Sequence, residues 1–229
     1  MNKSWFKLCS WTKQLRPDVA LYVGDLVDGN NRKGHGYEAV TINANEQKDC
    51  MEGLLKRFEL PKRCKKRGVR GSDYHGEQYY SAERDIIEDQ DGIFCGDSKR
   101  LDIAGHIILI THKISNAAYY LEQAGGRTIW QLKLSESDQK FKENIEAVFT
   151  AHLHTWRDVV CEWRRKTDKH VVFCPAWQAR TPFGVTRVSS GAVRFPTIGC
   201  AYAVFQEDLP IWISRILFPT PVEDDLEVI

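Results

Sequence analysis

The most constraining feature of this chain is the stretch Val19-Ala20-Leu21-Tyr22-Val23-Gly24-Asp25-Leu26-Val27-Asp28-Gly29. Its apolar run, 19–23, predicts a buried strand of the kind found in parallel sheets. Gly24 lets the backbone turn sharply where such a strand leaves the sheet. Asp25 then projects from the strand's C-terminal edge, where open α/β sheets place their ligands. Asp28 follows, and Gly29 closes the loop. Carboxylates so placed can hold a divalent cation or act as a base. A Gly-Asp-x-x-Asp-Gly loop alone also fits a solvated turn capped by its aspartate.

The rest of the chain favours an α/β domain. Residues 4–15 carry apolar positions at helical spacing, with Ser4 before them and Pro17 after. Helical stripes are predicted over 45–63, 77–89 and 135–144, and a helix through 117–123 stopped by Gly125-Gly126. The basic run Lys62, Arg63, Lys65, Lys66, Arg67 and Arg70 reads as the solvated end of a helix, with Gly68 to Gly71 a strand-like link beyond it. Strands are predicted at 101–103 and 106–110, paired around Ala104-Gly105, and at 145–150, 157–163, 170–174, 199–206 and 210–217. A single domain over 1–217 with an acidic tail at 218–229 accounts for the 229 residues.

Composition removes several function classes. Lys plus Arg number 32 against 31 Asp plus Glu, so no global charge selects nucleic acid or membrane. Seven cysteines without a paired Cys-x-x-Cys spacing argue against a disulfide scaffold or zinc knuckle and for a reducing, cytoplasmic setting. No apolar run is long enough to span a bilayer, and the first residues lack the apolar core of a signal peptide.

Three predicted strands end alike. Val23 leads to Asp25, Ile110 to His112, and Thr150 to His152 and His154. Neighbouring strands would gather these side chains at one sheet edge. In an extended segment His152 and His154 would point to the same side, because side chains repeat every two residues. Imidazole plus carboxylate suits zinc, manganese or iron better than calcium. His35, His106 and His170 read as structural or solvated.

These residues resemble the calcineurin-like metallophosphoesterases, in particular a phage-type subset. The likeness rests on Gly24-Asp25-Leu26-Val27-Asp28-Gly29, Arg70-Gly71-Ser72-Asp73-Tyr74-His75, Thr111-His112-Lys113 and Ala151-His152-Leu153-His154, with Asn45-Glu46-Gln47 at a helix start. The resemblance implies two packed mixed β-sheets flanked by helices, a four-layer sandwich with divalent metals at the strand ends. It implies that Asp25 bridges two metals, that His112 and His152 bind the second, and that His154 binds the first. His75 would protonate the leaving oxygen. Ser72 stands where the family usually has an asparagine ligand, and Asp73 or Asp28 could serve metal or substrate instead. Lys113 and Arg32 are candidates for steadying phosphate.

The family opens with a strand ending in Asp-x-His, and this chain opens with what resembles the helix after it. The expectation is therefore a metallophosphoesterase lacking its first strand, with one metal where the intact family holds two. The implied activity is metal-dependent hydrolysis of phosphate esters, phosphodiesters of nucleic acid among them. The alternatives are a catalytically impaired relic serving as a binding module, and a split enzyme completed by an N-terminal segment that supplies the strand.

Overall fold

The computed structural model of the chain describes residues 2–29, 41–72, 77–114, 121–137, 144–161, 168–177 and 197–219. Four α-helices and ten strands lie among them. They are α1 (Asn2–Leu15), β1 (Val19–Val23), α2 (Ala44–Leu55), β2 (Lys65–Val69), α3 (Glu77–Glu88), β3 (Ile93–Phe94), β4 (Ser98–Ile103), β5 (His106–Thr111), α4 (Leu121–Ser137), β6 (Ile145–Thr150), β7 (Arg157–Cys161), β8 (Lys169–Phe173), β9 (Ile198–Val204) and β10 (Trp212–Phe218). None of the helices is long and apolar enough to cross a membrane. The seven cysteines are free thiols.

The strands form a five-stranded mixed sheet in the order β4-β5-β6-β8-β7, a three-stranded sheet β1-β2-β3, and the hairpin β9–β10. Strands β1, β2 and β3 are parallel, as are β5, β6 and β8. Leu21, Val23 and Val69 from the small sheet, with Ala201, Ala203 and Ile213 from the hairpin, pack on Ile108, Ile110, Ala147, Phe149 and Val172 of the large sheet. On the far side of the small sheet and hairpin, Tyr22, Cys200 and Ile216 meet Trp5 and Leu8 of α1, Met51 and Leu55 of α2, and Ile86 of α3. On the far side of the large sheet, Val148, Val171 and Phe173 meet Ala124, Ile129 and Leu132 of α4. The fold is therefore a four-layer α/β sandwich: helices, small sheet with hairpin, large sheet, helix. Strand β1 lies at the edge of its sheet, and no described strand pairs with its outer side.

Two expectations about elements are corrected. Gly125-Gly126 does not stop a helix; α4 runs through it. A Cβ on Gly125 would lie 2.8 Å from Cβ of Val159, so this glycine lets the helix approach the sheet closely. The basic run is not the end of a helix either. Lys65, Lys66 and Arg67 begin β2, parallel to β1. Their long stems let the charged ends leave the sheet: Lys66 Nζ donates to the Gln90 carbonyl and Arg67 to the Lys66 carbonyl.

His106 has a structural role, as expected. It is 5% exposed, with Nδ1 3.0 Å from Glu146 Oε2 and Nε2 2.9 Å from the Gln206 carbonyl. The Gln206 carbonyl and the Glu146 carboxylate are acceptors, so the protonated ring, with a donor on each nitrogen, satisfies both. Burial opposes that charge, but the Gln206 carbonyl and the Glu146 carboxylate outweigh it and raise the pKa. The clasp ties the β9–β10 turn to the start of β5 and β6. A raised folded pKa means the clasp stabilises fully below the ordinary value of about 6.5 and fades as pH rises through the folded value. Urea unfolding of metal-free protein between about pH 6 and about pH 9 should therefore show wild type losing more stability than His106→Gln. Parallel curves for the two proteins would contradict the clasp.

Candidate metal centre

The site lies at the C-terminal ends of β1, β2, β5 and β6, where the two layers meet. Asp25 is held in an uncommon backbone conformation. Gly24 and Asp25 both have positive φ, 76° and 53°. A left-handed aspartate costs energy and persists only where its surroundings fix it. Here they do. A Cβ on Gly24 would lie 2.6 Å from Gly71 Cα, so the loops after β1 and β2 touch at two glycines. The Ser72 N–H donates to Asp25 Oδ1 at 2.7 Å. That leaves Oδ2, which lies 2.9 Å from His112 Nε2.

His112 follows β5 and is 4% exposed. Its Nδ1 lies 2.7 Å from the Val23 carbonyl and donates to it, which leaves Nε2 to face the site. The same contact fastens the large sheet to β1. His112 Nε2 lies 3.2 Å from Nδ1 of His152, and the two rings meet edge to face at 79°. The His112 carbonyl accepts from the Ala151 N–H and the Thr150 hydroxyl, both at 3.0 Å, which joins the ends of β5 and β6.

His152 sits just beyond β6 with φ 67°. The Leu153 N–H donates to the Ala151 carbonyl at 2.8 Å, closing a strained γ-turn around it. Burial first, and the neighbouring His112 second, push its pKa down to about 4. The ring is therefore neutral at pH 7, with a lone pair for a metal. Burial pulls His112 downward too, but the hydrogen bond and charge of Asp25 outweigh it and hold that imidazole above its usual value.

One ligand atom each from Asp25, His112 and His152 lies within 4.8 Å of the others. The donor set fits a zinc-, manganese- or iron-type cation: one carboxylate oxygen and two imidazole nitrogens, with one ring turned by a backbone carbonyl as metal-binding histidines usually are. Among the described residues the cluster offers three protein ligands, the number usual in catalytic zinc sites.

His154 does not join this cluster. The segment after β6 turns rather than extends: His154 has φ 50°, and its carbonyl accepts from the Thr197 N–H at 2.8 Å. Period-two spacing therefore fails there, although His154 is close enough for its charge to act on His152. Asp28 also stands outside the cluster. Ser72 contributes its backbone N–H to Asp25. Asp73, His75 and Arg32 lie outside the described residues. Lys113 is exposed beside His152, which feels its charge.

Two residues that sequence reasoning did not assign to the site support its loops. Glu83 of α3 is buried and accepts from the Leu26 N–H at 2.8 Å and the Gly71 N–H at 2.9 Å. Gln47 of α2 accepts from the Gly29 N–H at 2.9 Å and donates to the Gly29 carbonyl at 2.8 Å, closing the far end of the Asp25 loop. Gln47 belongs to a helix start already singled out in the sequence. Nothing local marks Glu83.

No family model and no curated protein matches the chain. Among solved structures it is similar to a single mutant of Vps29 from Entamoeba histolytica, at 12% identity, covering 88% of this chain and 99% of that one, with a TM-score of 0.44. It is similar to a novel archaeal phosphodiesterase at 11% identity, covering 93% of this chain and 91% of that one, with a TM-score of 0.46. Wild-type Vps29 of Entamoeba histolytica complexed with zinc matches at 12% identity over 67% of this chain and 82% of that one, with a TM-score of 0.35. At these scores the likenesses carry no weight for chemistry, which rests on the side chains of this chain alone.

Proposed function

We propose that the chain is a metal-dependent phosphoesterase of the calcineurin-like, phage-type kind, acting on phosphate esters and preferentially on phosphodiesters. The observation that carries this reading is the convergence of Asp25, His112 and His152 within 4.8 Å at the shared strand edge. These three side chains would hold one divalent ion. When bound, such an ion lowers the pKa of a coordinated water toward neutrality and polarises a phosphoryl oxygen. Asp25 is turned toward the ion position because Ser72 occupies its other oxygen. His152 needs no deprotonation at neutral pH. Lys113 adds positive charge beside His152, where an anionic ester would dock. His75 is the proposed proton donor to the departing alkoxide. The free thiols fit a cytoplasmic setting, in a bacterial host if the gene is a phage's.

A second reading is favoured by one observation: His154 stays outside the cluster, so a single three-ligand centre assembles among the described residues. On that reading the protein is an impaired relic that binds without turnover, or half of a split enzyme. In the split case a partner segment would add as a strand along the outer edge of β1, which no described strand pairs. Turnover of bis(p-nitrophenyl) phosphate with manganese or zinc separates the readings. The enzyme reading expects metal-dependent hydrolysis that disappears in Asp25→Asn. Tight metal binding with no turnover favours the relic, and turnover that appears only with an added Asp-x-His strand peptide favours the split enzyme.

A further inference from the structure

The loops after β1 and β2 meet so closely that two backbone N–H groups, those of Leu26 and Gly71, are withdrawn between them. Leu26 follows Asp25, and Gly71 precedes the Ser72 whose N–H holds Asp25 Oδ1. Both N–H groups donate to one side chain, the carboxylate of Glu83, which is 4% exposed. Its neighbours on α3, Ala82, Ile86 and Ile87, are buried and fix the helix against the small sheet. A single rigidly mounted carboxylate thus sets the spacing of the two loops on which the position of Asp25 depends.

We propose that Glu83 is a positioning residue of the metal centre, which it tunes without touching the ion; this rests on the metal-centre reading above. Glu83 keeps Gly71 against Gly24, so that the Ser72 N–H meets Oδ1 and Oδ2 stays aimed at His112 Nε2. A glutamine in its place keeps one acceptor and turns an amide N–H₂ group toward the other backbone N–H. One loop is then released.

The test is isothermal titration of the metal-stripped full chain with manganese, comparing wild type, Glu83→Gln, Glu83→Asp and His106→Gln. His106 makes a buried hydrogen-bonded pair at the opposite end of β5, so its variant controls for a general loss of stability. Glu83→Gln is expected to weaken binding by about 10- to 100-fold, the range seen when partners of metal ligands are removed. His106→Gln should stay within about twofold of wild type, as independent sites do. Glu83→Asp, too short to reach both loops, should fall between and decides the matter if Glu83→Gln does not fold. Wild-type affinity in the folded Glu83 variants, or equal weakening by His106→Gln, would overturn the proposal while leaving the metal centre standing. A wild-type chain that binds no manganese would overturn both.

Discussion

Replacing His152 by alanine should remove most of the metal affinity, and the same change at His154 should leave most of it in place. The asymmetry follows from the turn after β6. His152 reaches within hydrogen-bond distance of His112 and joins Asp25 in the cluster, whereas His154 does not. Losing a direct ligand should cost more than the roughly 100-fold upper range for partners one step removed from a metal. His154→Ala removes a nearby ring that is not among the three donors, and its affinity should stay within about tenfold of wild type. Titration with zinc or manganese reads the difference directly. Equal losses, or a larger loss in His154→Ala, would place the ion elsewhere along the turn.

Gly71→Ala should be among the most damaging single-methyl changes in the protein. The added Cβ would lie 2.2 Å from Asp25 Oδ1 and 2.3 Å from the Asp25 backbone nitrogen. The nitrogen cannot swing aside as a flexible side chain would, so the two loops must part. Forcing a carbon into filled space costs about 1–3 kcal/mol, and here at least the upper end, near 3 kcal/mol, is expected. Parting the loops also breaks the Ser72 contact with Asp25 and the Gly71 contact with Glu83, so metal affinity should fall with stability. Gly126→Ala is the matched contrast. Its Cβ would meet nothing within 4 Å, and it lies inside α4. Alanine there should stabilise by up to about 1 kcal/mol through helix propensity. Urea unfolding of the two variants should move in opposite directions; a Gly71→Ala protein as stable as wild type would contradict the close loop contact.

What was legible in the sequence follows a physical pattern. The runs Val19–Val23, His106–Thr111 and Ile145–Thr150 are largely covered strands that each have a parallel neighbour, and such strands are written mainly in apolar residues. The side chains placed directly after them, Asp25, His112 and His152, were legible for the same reason. Strand β2 was disguised because its lysines and arginine extend out of the sheet, and charge is ordinarily read as solvent. Helix α4 was cut short at Gly125-Gly126 because a glycine that admits a neighbouring strand cannot be told in sequence from one that ends a helix. The alternation argument placed His154 beside His152, but left-handed backbone at both residues destroys the period on which it depends. Glu83 was invisible, since its partners are backbone N–H groups brought to it only by the packing of α3 on the loops.

The most direct measurement is X-ray anomalous diffraction from crystals of the full chain soaked in zinc or manganese. One strong anomalous peak is expected at about 2.0–2.2 Å from a carboxylate oxygen of Asp25 and from ring nitrogens of His112 and His152. A peak bound by other residues, or no peak in this cluster at saturating metal, would contradict that placement.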